Sequence, residues 1–143
     1  MKYWLYVSLS KSPALSVDDA IIYLQSRNRN LAQSITGYLH REHDCYTQFV
    51  EGPPHAIDAL IDRIRRDPRH RILREIAEGE IATRRFRGWD MAFSNEGHAS
   101  FRTFQNRHGG TENIRDASEA EILRFMECTA RDGLAKNLKD DSC

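Results

Sequence analysis

The stretch SITGYLHREHDCYTQFVEG, residues 34–52, decides the fold because it holds two strand-like segments joined by a short polar connection. Residues 34–41 and 45–52 are the segments, and the EHD between them has the length of a hairpin loop. Side chains alternate between the two faces of a strand, which places Gln48 on a face that is otherwise apolar. A buried amide without hydrogen-bond partners costs about 1–3 kcal/mol. The hairpin therefore raises the question of which group satisfies Gln48.

Upstream of the hairpin, the sequence predicts a strand and then a helix. The segment YWLYVSL (3–9) is rich in aromatic and β-branched residues, and its alternation puts Trp4 and Tyr6 on one face. Ser16 is a good N-cap for the helix that follows. Apolar residues then recur with helical spacing, so the helix is predicted to end near Asn28.

Downstream of the hairpin, the sequence predicts a second helix and two more strands. Pro53 and Pro54 open the helix, because proline suits the first helical turn. Pro68 ends it, because the residue before a proline disfavours helical geometry. Residues 71–83 and 89–94 are the predicted fourth and fifth strands.

The order of elements, β-α-β-β-α-β-β, predicts an α+β, ferredoxin-like fold with an additional strand. This fold has a five-stranded mixed sheet with two helices on one face. Beyond Ser94 the composition becomes polar, and residues 117–138 predict an amphipathic helix. Since the two helices cover only one face, we expect this tail to pack on the other. The chain is accordingly divided into a domain of residues 1–94 and a helical extension of residues 95–143.

The composition excludes several classes of protein. The 143 residues suit a single domain, and 21 basic against 21 acidic residues give no net charge that would attract nucleic acid or an acidic membrane. No apolar run approaches the ~20 residues of a membrane span, and the N-terminus lacks the pattern of a signal peptide. The three cysteines fall in no C-x-x-C spacing, which indicates a reducing compartment. A cytoplasmic protein is expected.

Three polar or sulfur-containing side chains are predicted to meet near the middle of the sheet. Tyr6, Gln48 and Met91 lie on strands that can be neighbours, about 4.8 Å apart. A phenol, an amide and a thioether would then line one pocket. The alternative is that Tyr6 and Gln48 satisfy each other as buried core groups, without any ligand.

Two further features have both a structural and a ligand-binding interpretation. Asn30 either caps the end of the first helix or offers an amide to a planar heterocycle. The arginines of residues 63–71 and 84–87 suit a solvated helix face, a clamp for a cofactor phosphate or a nucleic-acid surface. The spacing of these arginines leaves all three interpretations open.

Neither a metal site nor hydrolytic or redox machinery is predicted. The six histidines fall into no metal-ligand spacing, and His40 and His43 are expected to face solvent on either side of the hairpin loop. No nucleophile elbow, dinucleotide-binding loop or phosphate-binding loop occurs. The sequence therefore predicts no catalytic residues and no enzyme.

Taken together, the ordered segments LYVSL (5–9), SRNRN with ITGYL (26–39), QFVEG (48–52), DRIRRDPRH (62–70) and RRFRGWDMAF (84–93) resemble the BLUF family of flavin-binding blue-light sensors. The resemblance spans about residues 1–94. It implies a flavin, FAD or FMN, held on the helix-covered face of the sheet. Five ordered blocks are far more specific than any single short motif.

The resemblance also implies roles for individual residues. Tyr6 matches the photoactive tyrosine, and Gln48 matches the glutamine that bridges this tyrosine to the flavin. Asn30 matches the asparagine that binds the carbonyl edge of the flavin ring. Trp89 and Met91 match a tryptophan and a methionine whose exchange near the flavin is linked to signalling. The remaining matches are flavin contacts at or near the end of the second helix and in the segment before the fifth strand: Arg63, Asp67, His70 and Arg84.

Two departures from the family pattern are visible. Arg29 stands where several relatives have asparagine or histidine, so the outer flank of the flavin would be more positive here. Cys45 and Tyr46 replace the small and aromatic residues that often precede the glutamine. Neither departure touches Tyr6 or Gln48, although dark-state recovery and coupling to the tail could differ.

The implied function is a photoreceptor in which light drives electron and proton transfer from Tyr6 and a rearrangement of Gln48. The rearranged hydrogen bonds would shift flavin absorption to the red, and Met91 or Trp89 would pass the change to the tail. Because no room is left for an enzymatic output module after residue 94, we expect output through an unidentified protein or a homo-oligomer. The alternative is a chromophore-free, ferredoxin-like interaction module that binds nucleic acid or a signalling enzyme.

Overall fold

The computed structural model describes residues 1–11 and 34–137, and within them six strands form one sheet in the order β4-β1-β3-β2-β5-β6. Strand β1 pairs antiparallel with both β3 and β4, β2 pairs antiparallel with β3, and β5 lies parallel to β2. The mixed sheet is therefore as predicted. The strands are β1 Lys2–Ser10, β2 Thr36–Glu42, β3 Cys45–Gly52, β4 His70–Glu80, β5 Ala92–Asn95 and β6 Lys136–Asn137.

The sixth strand was not expected from the sequence. Lys136–Asn137 is a two-residue strand that pairs antiparallel with β5 at the edge of the sheet. Two residues are too few to show the alternation that marks a strand. The fifth strand is also shorter than predicted and begins only at Ala92. Gly88 has a positive φ of 85°, so the chain is still turning just before Trp89.

The helix after the hairpin, α1, spans Pro54–Arg66. Pro53 is its N-cap and Asp67 its C-cap, which confirms both predicted ends. Basic side chains occupy its last turn, where they oppose the negative end of the helix dipole. The helix predicted from Ser16 to Asn28 lies outside the described residues.

Over residues 95–137, the extension contains two helices, α2 (Phe101–His108) and α3 (Glu119–Arg131). Helix α2 was not predicted, because its eight residues are mostly polar, but Ser100 caps its start and Gly109 ends it at a φ of 75°. Helix α3 begins with a capping box and stops well before residue 138, because Gly133 follows with a φ of 74°.

The two faces of the sheet carry separate apolar cores. On one face α1 packs over the sheet, and on the other α2 and α3 do so, which confirms the predicted place of a helical extension although only one helix was expected there. The fully buried members of the α1-side core include Trp4, Val50, Ile57 and Met91. The fully buried members of the extension-side core include Leu5, Phe49, Phe101, Ile122 and Phe125.

His40 is the clearest departure from the sequence-based expectations. It is fully buried on the extension side, with its ring 4.8 Å from that of Phe125, whereas His43 is exposed as expected. Strand β2 continues to Glu42, so His40 lies inside the strand and not at the hairpin tip. In the described part of the chain, no helix is both long enough and apolar enough to cross a membrane.

Candidate functional site

Gln48 is satisfied by Tyr6. Strands β1 and β3 pair so that the two residues lie directly opposite each other, with their side chains on the α1 side. The Tyr6 hydroxyl donates a hydrogen bond of 2.6 Å to Oε1 of Gln48, and both side chains are buried. The amide oxygen therefore has a strong, short partner in the interior of the protein.

The amide nitrogen of Gln48 points the other way, toward Met91. Its Nε2 donates to the Met91 sulfur at 3.6 Å, and Met91 is fully buried just before β5. A thioether sulfur only accepts hydrogen bonds, whereas a phenol can donate or accept. This chemistry supports the amide orientation with its nitrogen on the Met91 side. Tyr6, Gln48 and Met91 thus form one hydrogen-bonded chain across three elements.

Trp89 lies on the opposite face of the sheet from Met91. Its indole packs, partly buried, against the extension-side core, while its backbone N–H donates to the carbonyl of Phe86 at 3.0 Å. Both Trp89 and Met91 precede β5, although the sequence placed them within the strand. Of the two, Met91 is the one in contact with Gln48.

The phenol of Tyr6 is kept protonated by its surroundings. Burial raises the pKa of Tyr6 well above its usual value, and the negative charge of Asp67 raises it further. Oxidation of a phenol greatly increases its acidity, so an electron cannot easily leave Tyr6 unless the proton moves as well. The nearest acceptor for that proton is Oε1 of Gln48.

The segment that follows α1 brings charged groups close to Tyr6. Burial raises the pKa of Asp67, but the hydrogen bonds and charge of Arg69 outweigh burial, and the pKa lies below its usual value. The ring of His70 lies 6.3 Å from that of Tyr6, and burial lowers the pKa of His70. Arg63 is half-buried in the last turn of α1. Asn30 lies outside the described residues.

A buried heterocycle with donors and acceptors on its edge suits this set of side chains. Gln48 and Tyr6 present an amide and a phenol, and Asp67 presents a carboxylate that can accept from an N–H group. The buried Nδ1 of His70 has no hydrogen-bond partner among the described residues, so it can bind a further group. The donors and acceptors present therefore fit a flavin.

Comparison with known proteins agrees with this fit. Residues 1–92 match the family model of BLUF, described as sensors of blue-light using FAD. The chain belongs to the BLUF family. It is therefore a flavin-dependent blue-light sensor, as the sequence resemblance implied.

Some relatives match this chain over most of their own length, and others match it over only a small part of theirs. The structure of BlrB, a BLUF protein in its dark state, superimposes with a TM-score of 0.73 at 29% identity, covering 90% of this chain and 96% of BlrB. The photo-activated state of BlsA gives a TM-score of 0.74 at 23% identity, covering 87% and 91% of the two chains, and shows a shared fold. A photoactivated adenylate cyclase subunit beta from Euglena gracilis is 40% identical over 65 residues, which are 46% of this chain but 8% of the cyclase subunit.

The sequence alone did not reveal how Trp4 supports the BLUF site. Its ring stacks on that of Tyr6 with centroids 4.3 Å apart, and its indole N–H donates to Glu75 at 3.0 Å. Glu75 is also held by Arg65 at 2.6 Å. Strand alternation puts Trp4 beside Tyr6, but the anchor on β4 depends on pairing between distant strands.

Glu51, in the family motif QFVEG, fixes the segment that leads to Met91. Its fully buried carboxylate accepts hydrogen bonds from the backbone N–H groups of Arg85 and Phe86 at 2.7 and 2.8 Å. The Thr36 hydroxyl donates to the same carboxylate at 2.8 Å. Arg84 donates to that hydroxyl and to the carbonyl of Ser34, so it braces the start of β2.

Three of the arginines noted in the sequence form ion pairs with carboxylates. Arg65 pairs with Glu75, Arg69 with Asp67 and Arg85 with Glu127, at 2.6 to 2.7 Å. The first two pairs lie near the end of α1, and the third joins the segment before β5 to α3. In each pair the carboxylate offsets the positive charge of an arginine that would otherwise attract a phosphate or nucleic acid.

Proposed function

We propose that Tyr6, Gln48 and Met91 form the light-operated switch of this BLUF photoreceptor. The observation that carries the proposal is their continuous hydrogen-bond chain, from the Tyr6 hydroxyl through the Gln48 amide to the Met91 sulfur. The amide at the centre of this chain has an oxygen that accepts and a nitrogen that donates, so its orientation determines which neighbour donates to it and which accepts from it.

The bound flavin supplies absorption of blue light and an excited state able to oxidise a phenol. Tyr6 is the electron donor, and Oε1 of Gln48 receives the phenolic proton over 2.6 Å. When the electron and proton return to Tyr6, no net redox change remains. The lasting change would be in the amide of Gln48, which would have turned or tautomerised, and a new hydrogen bond from this amide to a bound flavin would lower the energy of the light that the flavin absorbs.

Rotation of the Gln48 amide has a direct consequence for Met91. In the rotated state Oε1 faces the sulfur, and neither atom can donate a hydrogen bond to the other. The hydrogen bond between Gln48 and Met91 is therefore lost, and the Met91 sulfur is released from Gln48. The switch thus converts a rearrangement on β3 into a change at the start of β5.

We assign the flavin contacts to Tyr6, Gln48 and Met91 on the sheet and to Arg63 and Asp67 at the end of α1. Asn30 completes the set through its amide, following the family motif. FAD is the proposed flavin because the family description names it. The mass of the chromophore extracted from the protein distinguishes FAD from FMN.

We assign sensing to residues 1–94 and output to residues 95–143, without catalysis by this chain. Support comes from the extension helices, whose apolar residues pack on the sheet face opposite α1. Output then passes to a downstream protein or through self-association of the chain. The free cysteines Cys45 and Cys128 are the basis for proposing a cytoplasmic location.

The test is the light response of the purified protein and of matched tyrosine variants. The wild type is expected to be yellow, and blue light should shift its flavin bands reversibly to the red without bleaching. Tyr6→Phe and Gln48→Ala should keep the flavin but lose the shift. Tyr3→Phe, which removes a phenol from the other face of β1, is the control and should behave as wild type.

Three results would contradict the proposal. A normal red shift in both Tyr6→Phe and Gln48→Ala would refute the switch. A colourless protein that takes up neither added FAD nor FMN would refute the photoreceptor and favour the chromophore-free interaction module. Progressive bleaching with accumulation of reduced flavin would indicate an enzyme.

A further inference from the structure

A second polar chain is buried on the extension side of the sheet, and the switch does not use it. It consists of Ser94, His40 and Glu42, here called the polar relay. The Ser94 hydroxyl lies 2.7 Å from Nδ1 of His40, and Nε2 of His40 lies 2.8 Å from the Glu42 carboxylate. All three side chains are buried. A fully satisfied polar network of this kind fixes the relative position of the elements that carry it.

One end of the polar relay holds the start of α2. Glu42 accepts the backbone N–H groups of Phe101 and Arg102 at 2.8 and 2.9 Å. These are the first two amides of the helix, and Ser100 accepts that of Thr103. A helix has no internal acceptors for these groups. Glu42 on β2 is therefore part of the N-terminal cap of an extension helix.

The charge of Glu42 fits this role. Burial raises its pKa, but the hydrogen bonds from His40 and from the two amides outweigh burial, and the pKa lies below its usual value. An ionised carboxylate is favoured at the positive end of a helix. Because that carboxylate can only accept, Nε2 of His40 is the donor in their hydrogen bond.

The other end of the polar relay lies on β5, the strand that begins next to Met91. Ser94 faces the extension side, and its hydroxyl also accepts from the Tyr38 phenol at 2.6 Å. Strand β5 pairs with β2 over only four positions, among them His40 with Ser94. A strand this short has few ladder bonds to resist a small displacement. Met91 and Ser94 thus connect the two faces of the sheet through one short element.

The sequence of groups in the relay also resembles a serine–histidine–carboxylate triad, but its setting excludes hydrolysis. The Ser94 hydroxyl is buried and already accepts from Tyr38. A nucleophilic serine needs an exposed face and a place for the carbonyl of a substrate. A structural connection is the interpretation that the contacts support.

We propose that the polar relay couples the position of β5 to the N-terminus of α2, so that release of Met91 loosens α2. This inference rests on the proposed function, because the switch supplies the displacement. When β5 moves, Ser94 leaves His40, and the imidazole loses the partner that fixes its orientation. Glu42 is then held less firmly against the amides of Phe101 and Arg102. Light thus reaches the extension by weakening the N-terminal cap of α2.

The test is amide hydrogen exchange of residues 101–109 in the flavin-loaded full chain, in darkness and under blue light. In the wild type, light should accelerate exchange about tenfold, the size expected when a helix cap is lost. Ser94→Ala, which removes this partner of His40 in the dark, should keep the red shift but exchange faster than wild type already in the dark, with little further acceleration in light. Glu42→Gln should exchange about tenfold faster in the dark, with little further change in light.

The matched control is Glu96→Gln, at a partly exposed carboxylate that accepts from the backbone of the same hairpin. It should leave exchange of α2 unchanged. Wild-type dark exchange in Ser94→Ala or in Glu42→Gln would overturn the relay. A wild type with a normal red shift but equal exchange in light and dark overturns the relay alone. A wild type without any red shift overturns the proposed function.

Discussion

The carboxylate of Glu51 offers the sharpest test of how the fold positions Met91. One oxygen accepts from the backbone of Arg85, and the other accepts from the backbone of Phe86 and the hydroxyl of Thr36. In Glu51→Gln one of these oxygens becomes an NH₂ group. Whichever way the amide lies, at least one backbone N–H then faces another donor.

The cost of this replacement follows from the contacts that change. An unsatisfied buried donor costs about 1–3 kcal/mol. Each remaining hydrogen bond then has a neutral acceptor in place of a charged one, which weakens it by about 1 kcal/mol. We therefore expect Glu51→Gln to lower the free energy of unfolding by about 3 kcal/mol, a large part of the ~5–15 kcal/mol typical of a domain.

Urea unfolding followed by far-UV circular dichroism measures this loss. Glu127→Gln is the control, because Glu127 pairs with the exposed side chain of Arg85, whose backbone Glu51 holds. The control should change stability by no more than about 1 kcal/mol. A Glu51→Gln protein within about 0.5 kcal/mol of wild type would show that the carboxylate does not fix this segment.

Two further predictions concern the switch and the extension. Met91→Leu keeps the side-chain volume but removes the sulfur acceptor, so it should alter the lifetime of the red-shifted state at a stability cost of under about 1.5 kcal/mol. Met126→Leu, on the other face of the sheet, is the control and should leave this lifetime unchanged. Equal lifetimes in the two variants would contradict the role of the sulfur. The backbone amides of Ser118 and Thr111 lower the pKa of Glu121 to about 2, so its ionised form stabilises the fold above the ordinary pKa of 4.5, and that contribution disappears as the pH falls through about 2. The stability difference between wild type and Glu121→Gln should therefore be constant above pH ~5 and shrink toward pH ~2, and a difference that does not vary with pH would rule out this carboxylate as the cause.

The sequence was sufficient where local patterns determine the structure. Alternation in residues 3–9 and 45–52 placed Tyr6 and Gln48 on matching faces, and the hairpin made their strands candidates for pairing. Pro54 and Pro68 marked the bounds of α1 closely. Family motifs then supplied the flavin, which no periodicity could have indicated.

The sequence was insufficient where contacts depend on pairing between distant segments. His40 has a polar side chain next to a loop, so it was expected in solvent. Its burial depends on the parallel pairing of β2 with β5, which brings Ser94 to its ring. Glu51 likewise looked like an ordinary charged residue at a strand end. Helix α2 escaped prediction because its eight residues are mostly polar and because its start is held by Glu42, which lies on a distant strand.

Strand β6 gives the extension a second task, protection against aggregation. An uncovered strand edge presents free N–H and C=O groups that can recruit strands from other molecules. Lys136 and Asn137 pair with the outer edge of β5. A fragment cut after residue 94 would expose that edge together with the apolar surface around Phe49. We expect such a fragment to associate through its edges, so a fusion protein built from this photoreceptor should retain the chain through Asn137.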